Sequence, residues 1–204
     1  MIWIEKSGAC QVVKIDRPEK ANSLTSGMLE ELCEIFETVS DAGVNTVILT
    51  GKGKVFSAGA DLDEARAGLA TSPLWERLSA AVATAPCLTI AALNGTLAGG
   101  AMGMVLACDL RLAVAHAKFF YPVMKLGFLP QPSDPVRMKA LIGPARAKMI
   151  LMSGQKITAD EALSFGLVDR ITAPEDLMTE AHNLSDVPCG ASAAHVAAIK
   201  AMLG

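Results

Sequence analysis

The chain has 204 residues, 51% of them hydrophobic, 19% charged and 4% aromatic, with a formal net charge of −3. That length suits one domain with a sizeable core, and so much aliphatic content excludes a disordered chain. The absence of a basic block and the small number of aromatics argue against an electrostatic or base-stacking nucleic-acid binder.

In chain order, Ile2–Lys6 and Gln11–Ile15 are predicted to form a hairpin across Ser7-Gly8. From Met28 to Val39, Leu29, Leu32, Cys33, Phe36 and Val39 share one helical face, and Gly43 follows as a stop. The segment VNTVILTG is predicted to be a buried strand leading into the Gly-rich loop GKGKVFSAGADLDE. Helical stretches follow at about 61–70 and 73–85. Between Arg77 and Asp109 no residue is charged, a span long enough on paper to cross a bilayer. Pro86, Asn94 and several glycines divide it into a strand, Leu88 to Leu93, and a buried small-residue helix from about Gly99 to Cys108, so a membrane reading is rejected. Leu110–Val114 is predicted as a strand with His116 at its end, and Ala117–Pro135 as a Pro-rich connection. Helices are expected at Val136–Ile142, Ala145–Met152 and Ala159–Phe165, the last opened by a Thr158-x-x-Glu161 capping box. A strand, Leu167–Ile171, and two more helices end the chain. Strands alternating with helices imply an α/β layered fold.

The cysteines (10, 33, 87, 108 and 189) include no C-x-x-C pair and read as reduced, mostly buried thiols of a cytoplasmic protein. The histidines are widely spaced, so no metal site is expected. No basic-then-apolar order marks a signal peptide in the first residues. Gly51-Lys52-Gly53-Lys54 lacks the P-loop spacing, Gly99-Gly100-Ala101-Met102-Gly103 is not a dinucleotide fingerprint, and no G-x-S-x-G elbow is present. Two loops remain, FSAGADL and NGTLAGGAMGM. Each turns from a strand through small residues into a helix, so each presents free backbone N–H groups at a helix N-terminus. Two such amides on one oxygen make an oxyanion hole; tight strand–helix packing is the plainer explanation of the same small residues.

The segments RPEKANSLT, VFSAGADLDE, AALNGTLAGGAMGMVLACDLRLA and GPARAKMILMSGQKITADEALSFGLVDRI resemble, in order, the crotonase family, also called the enoyl-CoA hydratase/isomerase family. The resemblance implies a spiral of repeated ββα turns over residues 1–172 and a short helical C-terminal region over 173–204. It also implies a homotrimer or hexamer, a role in fatty acid metabolism, and an acyl-CoA substrate with no further cofactor. It places the oxyanion amides on Ala60 and Gly100. The CoA moiety falls near Lys20, Ala21, Ala58, Asp61 and Leu62.

The chain also departs from the family pattern. The two glutamates of the hydratases fall on Gly103 and Val123 here, which implies a poor hydratase. A Gly103→Glu, Val123→Glu double replacement is then expected to confer hydration. The loop position where some decarboxylase and dehalogenase members place Tyr or Asp is Gln131, whose amide can hydrogen-bond a carboxylate or water. Of the nearby polar residues, Asp134 reads as a helix cap ahead of Pro135 or as a proton-transfer group. Tyr121 reads as a core residue with its hydroxyl at the edge or as a residue reaching the acyl pocket. Asp63 and Glu64 read as dipole partners and Asp109 as a partnered structural acid. The leading functional reading is an acyl-CoA enzyme catalysing decarboxylation, thioester hydrolysis or a lyase step. Its alternative is a non-catalytic acyl-CoA-binding or scaffold homologue.

Overall fold

The computed structural model describes residues 1–203. Strands β1 (Ile2–Ser7) and β2 (Cys10–Ile15) form the expected hairpin, and α1 (Ser26–Glu37) follows, capped by the Thr25 hydroxyl on the Met28 amide. The next unit is β3 (Thr46–Gly51), β4 (Val55–Ser57), α2 (Leu62–Arg66) and α3 (Leu74–Thr84). The same plan recurs as β5 (Leu88–Leu93), β6 (Thr96–Ala98) and α4 (Met102–Leu106). It recurs again as β7 (Leu110–Val114), β8 (Lys118–Phe120), α5 (Val123–Leu126) and α6 (Asp134–Leu151). The chain closes with β9 (Ile157–Thr158), α7 (Ala159–Phe165), β10 (Arg170–Thr172), α8 (Leu177–Gly190) and α9 (Ala193–Leu203).

This repetition winds two sheets in parallel. One runs β1-β2-β3-β5-β7-β10, parallel from β2 onward, and the other runs β4-β6-β8-β9. Every residue of β3 is buried, as expected for a parallel strand covered on both faces by apolar side chains. The mixed α/β fold with its ββα spiral is the one the family resemblance implies. Three short strands, β4, β6 and β8, lie inside segments that the pattern reading treats as loops or connections. At three residues each they carry little periodicity, and they are defined by pairing with one another.

The run Asp134–Leu151 is two helices, as the expected pair Val136–Ile142 and Ala145–Met152 requires, because Gly143 (φ 77°, ψ 165°) breaks it ahead of Pro144. Other differences are local. His116 lies in an exposed turn after β7, not on the strand. Thr158 and Glu161 do form the capping box. Asp109 is partnered as expected: its Oδ2 accepts from the Thr89 amide and hydroxyl and from Lys200 Nζ at 2.8 Å, which fastens α9 to the sheet. No helix among the described residues is long and apolar enough to cross a membrane.

Candidate active site

The first and second Gly-rich loops meet because β4 and β6 are neighbours in the smaller sheet. Their approach is close enough to dictate residue type. Gly59 has φ +92°, and a Cβ there would lie 2.9 Å from Ala98 O and 3.4 Å from Gly100 N. Only glycine satisfies both the left-handed backbone and the missing volume. Ala60 follows, bridged to Leu24, and its amide donates to no acceptor among the described residues. Gly100 is the second residue of the helical turn Gly99–Ala101 that leads into α4, at a position where an amide has no partner within its own helix.

These loops form one wall of a cleft of about 150 Å3. Ala58, Ala60, Leu62, Gly100, Tyr121 and Gln131 all line it. Trp75 from α3 backs the second loop, with its indole N–H on Leu69 O at 2.8 Å; a Cβ on Gly100 would meet the indole ring at 2.9 Å. The rim is apolar, with Leu126, Phe128 and Leu129 exposed around the mouth. Trp75 and this rim are absent from the residues expected from sequence, although the pairing of Trp75 with Leu78 and Val82 on one helical face marks it as inward-facing.

The segment containing Lys20 and Ala21 runs alongside the first loop: the Ala58 amide donates to Ala21 O at 3.0 Å. Ala21 and its neighbour Asn22 both have positive φ, a conformation held by Asn22 Nδ2 on Lys52 O and Val55 O. The Lys20 side chain is exposed. Asp61 caps α2 through its Oδ1 on the Asp63 and Glu64 amides and pairs with Arg17 Nη1 at 2.7 Å. The Arg17 guanidinium, helped by those amides, holds its carboxyl below the usual range. The Asp61 carboxylate is therefore committed to the loop's architecture. Leu62 projects outward at the cleft edge. Of the acids that follow, Asp63 pairs with Arg66 and Glu64 accepts the Ser26 amide.

Two expectations need correction. Asp134 is no cap: the residue ahead of α6 is Ser133, and Asp134 turns inward, fully buried. Nor does Tyr121 leave its hydroxyl at an edge, because that hydroxyl donates to Asp134 Oδ2 at 2.8 Å in the interior. A Cβ at Gly103 would lie 2.7 Å from Asp134 Oδ1, so the carboxyl group occupies the space above the bare α4 backbone. Burial pushes the Asp134 carboxyl up to about 6, with Glu76 adding to the rise while Tyr121 and Arg137 oppose it. Burial, then the Asp134 charge, pushes the Tyr121 phenol up, so it stays neutral. Val123 is buried and lines the cleft.

Residues 5–204 match the family described as Enoyl-CoA hydratase/isomerase. The chain belongs to that family. It is 35% identical over 196 residues to the short-chain-enoyl-CoA hydratase of Clostridium acetobutylicum, an alignment covering 91% of this chain and 74% of the relative. To the crotonyl-CoA hydratase of Syntrophomonas wolfei it is 33% identical over 191 residues, covering 90% and 74%. The crystal structure of an enoyl-CoA hydratase from Bacillus anthracis superposes with a TM-score of 0.92 at 31% identity, covering 99% of this chain and 81% of that one. In this family member Ala60, Gly100 and Tyr121 line one cleft, and the Tyr121 hydroxyl donates to the buried Asp134 carboxyl behind it.

Proposed function

We propose that this chain is an acyl-CoA thioester enzyme that holds a thioester enolate oxygen on the backbone amides of Ala60 and Gly100. The observation that supports this reading is the approach of the two helix-entry loops at Gly59 and Gly100, with Ala60 and Gly100 both lining the same cleft. Donors fixed before the reaction stabilise charge as it develops on the carbonyl oxygen, without reorganisation. The alanine and glycines contribute geometry, and the loop beside Ala21 and Ala58 is the seat for the CoA moiety.

The same reading makes it a weak hydratase. Hydration of a double bond needs water positioned and deprotonated and the α-carbon protonated, and each acid/base group contributes about 10²–10⁴-fold. Gly103 and Val123 stand at the positions the family resemblance assigns to those carboxylates, and neither can transfer a proton. Reactions that create the enolate by losing a group from the substrate, such as CO2, need only one later proton and fit this site better. The absence of a proton-transferring side chain at those two positions also favours a second reading, a non-catalytic acyl-CoA-binding homologue.

The test pairs calorimetric titration of butyryl-CoA with an assay of crotonyl-CoA hydration. Saturable binding with hydration at least roughly a thousandfold below that of a two-glutamate scaffold supports the proposal. Absence of binding, or brisk hydration, contradicts it. Turnover of a thioester panel then separates the enzyme from the binding homologue.

A further inference from the structure

Asp134 is a fully buried carboxylic acid that helix capping does not explain. Its Oδ2 takes the Tyr121 hydroxyl, and its Oδ1 has no hydrogen-bond partner among the described residues. Burying such an atom without a partner is costly, so its presence calls for an explanation. The first turn of α6 is held around it. Glu76 Oε2 on α3 accepts the Ser133 amide at 3.2 Å and the Ser133 hydroxyl at 3.0 Å. Arg137 Nη1 donates to Ser133 Oγ at 2.6 Å and to Ser79 Oγ, while the Ser79 hydroxyl donates to Gly103 O at 3.1 Å. The charged and titratable groups facing Asp134 are therefore Tyr121 from the turn after β8, Glu76 from α3 and Arg137 from α6 itself. The neighbouring α4, Met102–Leu106, carries no titratable side chain and meets Asp134 at Gly103.

We infer that Tyr121 and Asp134 form a two-oxygen proton relay serving the α-carbon of the bound acyl-CoA thioester, with Tyr121 facing the ligand and Asp134 acting through it. In the deprotonation direction the Cα–H bond breaks and its proton goes to Tyr121 Oη. The phenolic proton passes to Asp134 Oδ2, and the Cα electron pair moves into the enolate held by Ala60 and Gly100. Protonation is the reverse, and neither direction needs a further reagent. The relay does the work of a glutamate on α4 from the other side of the gap: the carboxyl comes from α6, and α4 yields the space by carrying glycine. Tyr121 is the catalytic residue and Asp134 a positioning and proton-storing residue.

The relay rests on the acyl-CoA reading, and the experiment separates the two. Butyryl-CoA is incubated with the enzyme in D2O, and deuterium at the α-carbon is followed by mass spectrometry between pH 5 and 8. The expected result is exchange that rises with pH to a plateau, as Asp134 ionises and becomes able to accept the relayed proton. Tyr121→Phe should lower exchange at least about a hundredfold. Asp134→Asn keeps an acceptor for the Tyr121 hydroxyl but cannot take its proton. It should lower exchange comparably and flatten the pH profile, with calorimetric butyryl-CoA binding retained. Exchange in either variant at the wild-type rate, or binding by the wild type without any exchange, overturns the relay while leaving the acyl-CoA reading standing. Loss of all butyryl-CoA binding by the wild type overturns both.

Discussion

Asp134 Oδ1 stands where a side chain on Gly103 would have to begin, 2.7 Å from the position of a Cβ there. This single contact changes the design of a gain-of-function variant. Gly103→Glu with Val123→Glu, the pair suggested by the sequence, would drive one carboxylate into another in a buried space. Hydration of crotonyl-CoA should emerge only when Asp134→Gly is added to the pair. The ultraviolet assay of crotonyl-CoA should show the triple variant above both the double variant and the wild type.

The same contact sets a packing prediction. Gly103→Ala should destabilise the protein by about 1–3 kcal/mol, because the Asp134 carboxyl and the start of α6 must shift to admit a methyl group. At about 2–4 °C per kcal/mol for a chain of this size, a melting curve resolves it. Adding Asp134→Gly should recover most of the loss.

Gly100 is constrained from the rear as well as from the cleft. The sequence alone suggests that Gly100→Val would abolish ligand binding and spare the fold. The Trp75 ring at 2.9 Å from a Cβ there means the fold is not spared. Even Gly100→Ala should cost about 1–3 kcal/mol by displacing a buried indole. Denaturant titration should show the loss as a lower midpoint at unchanged slope.

The raised Asp134 carboxyl has a stability signature with a definite sign. Its folded-state value, about 6, lies above the unfolded value near 3.8, so the native state holds the proton more tightly than the unfolded chain. The Asp134 contribution is therefore most favourable below about pH 4, falls as pH rises toward 6, and is constant above that. The full change is on the order of 3 kcal/mol. Urea denaturation at pH 4, 5, 6 and 7 should show wild-type stability falling relative to Asp134→Asn across that window. Parallel pH curves would mean that Asp134 does not titrate there. The comparison with the variant cancels the opposite dependence of Asp61, whose carboxyl is held low by Arg17.

The spiral was largely legible because its strands and helices carry strong local signals. Leu88–Leu93 and Leu110–Val114 are strands with the predicted limits, and the Thr158 capping box is in place. The small-residue loops were legible for a similar reason, since tight turns leave few residue choices. What the sequence could not show was contact between distant segments. Ser133-Asp134-Pro135 carries a local helix-start signal, and only the hollow left by Gly103 on α4 explains why Asp134 turns inward. Trp75 on Gly100, Glu76 on Ser133, and Lys200 on Asp109 are long-range pairs of the same kind.

Lys200 offers a test of how the last helix is held. Its Nζ donates to Cys87 O at 2.9 Å and to Asp109 Oδ2 at 2.8 Å. Lys200→Ala should cost about 1 kcal/mol, below the usual range for charge-assisted bonds because both ends are partly wet. Limited proteolysis should then cut between α8 and α9 faster than in the wild type.

The proposed function stands on two backbone amides, those of Ala60 and Gly100, gripping a thioester oxygen. Infrared difference spectroscopy of butyryl-CoA carrying 13C at the thioester carbonyl reads that grip directly. On binding, the labelled carbonyl band should move to lower frequency than in water, because two fixed donors polarise the bond more than solvent does. A bound ligand whose carbonyl band stays at its aqueous position would contradict the account.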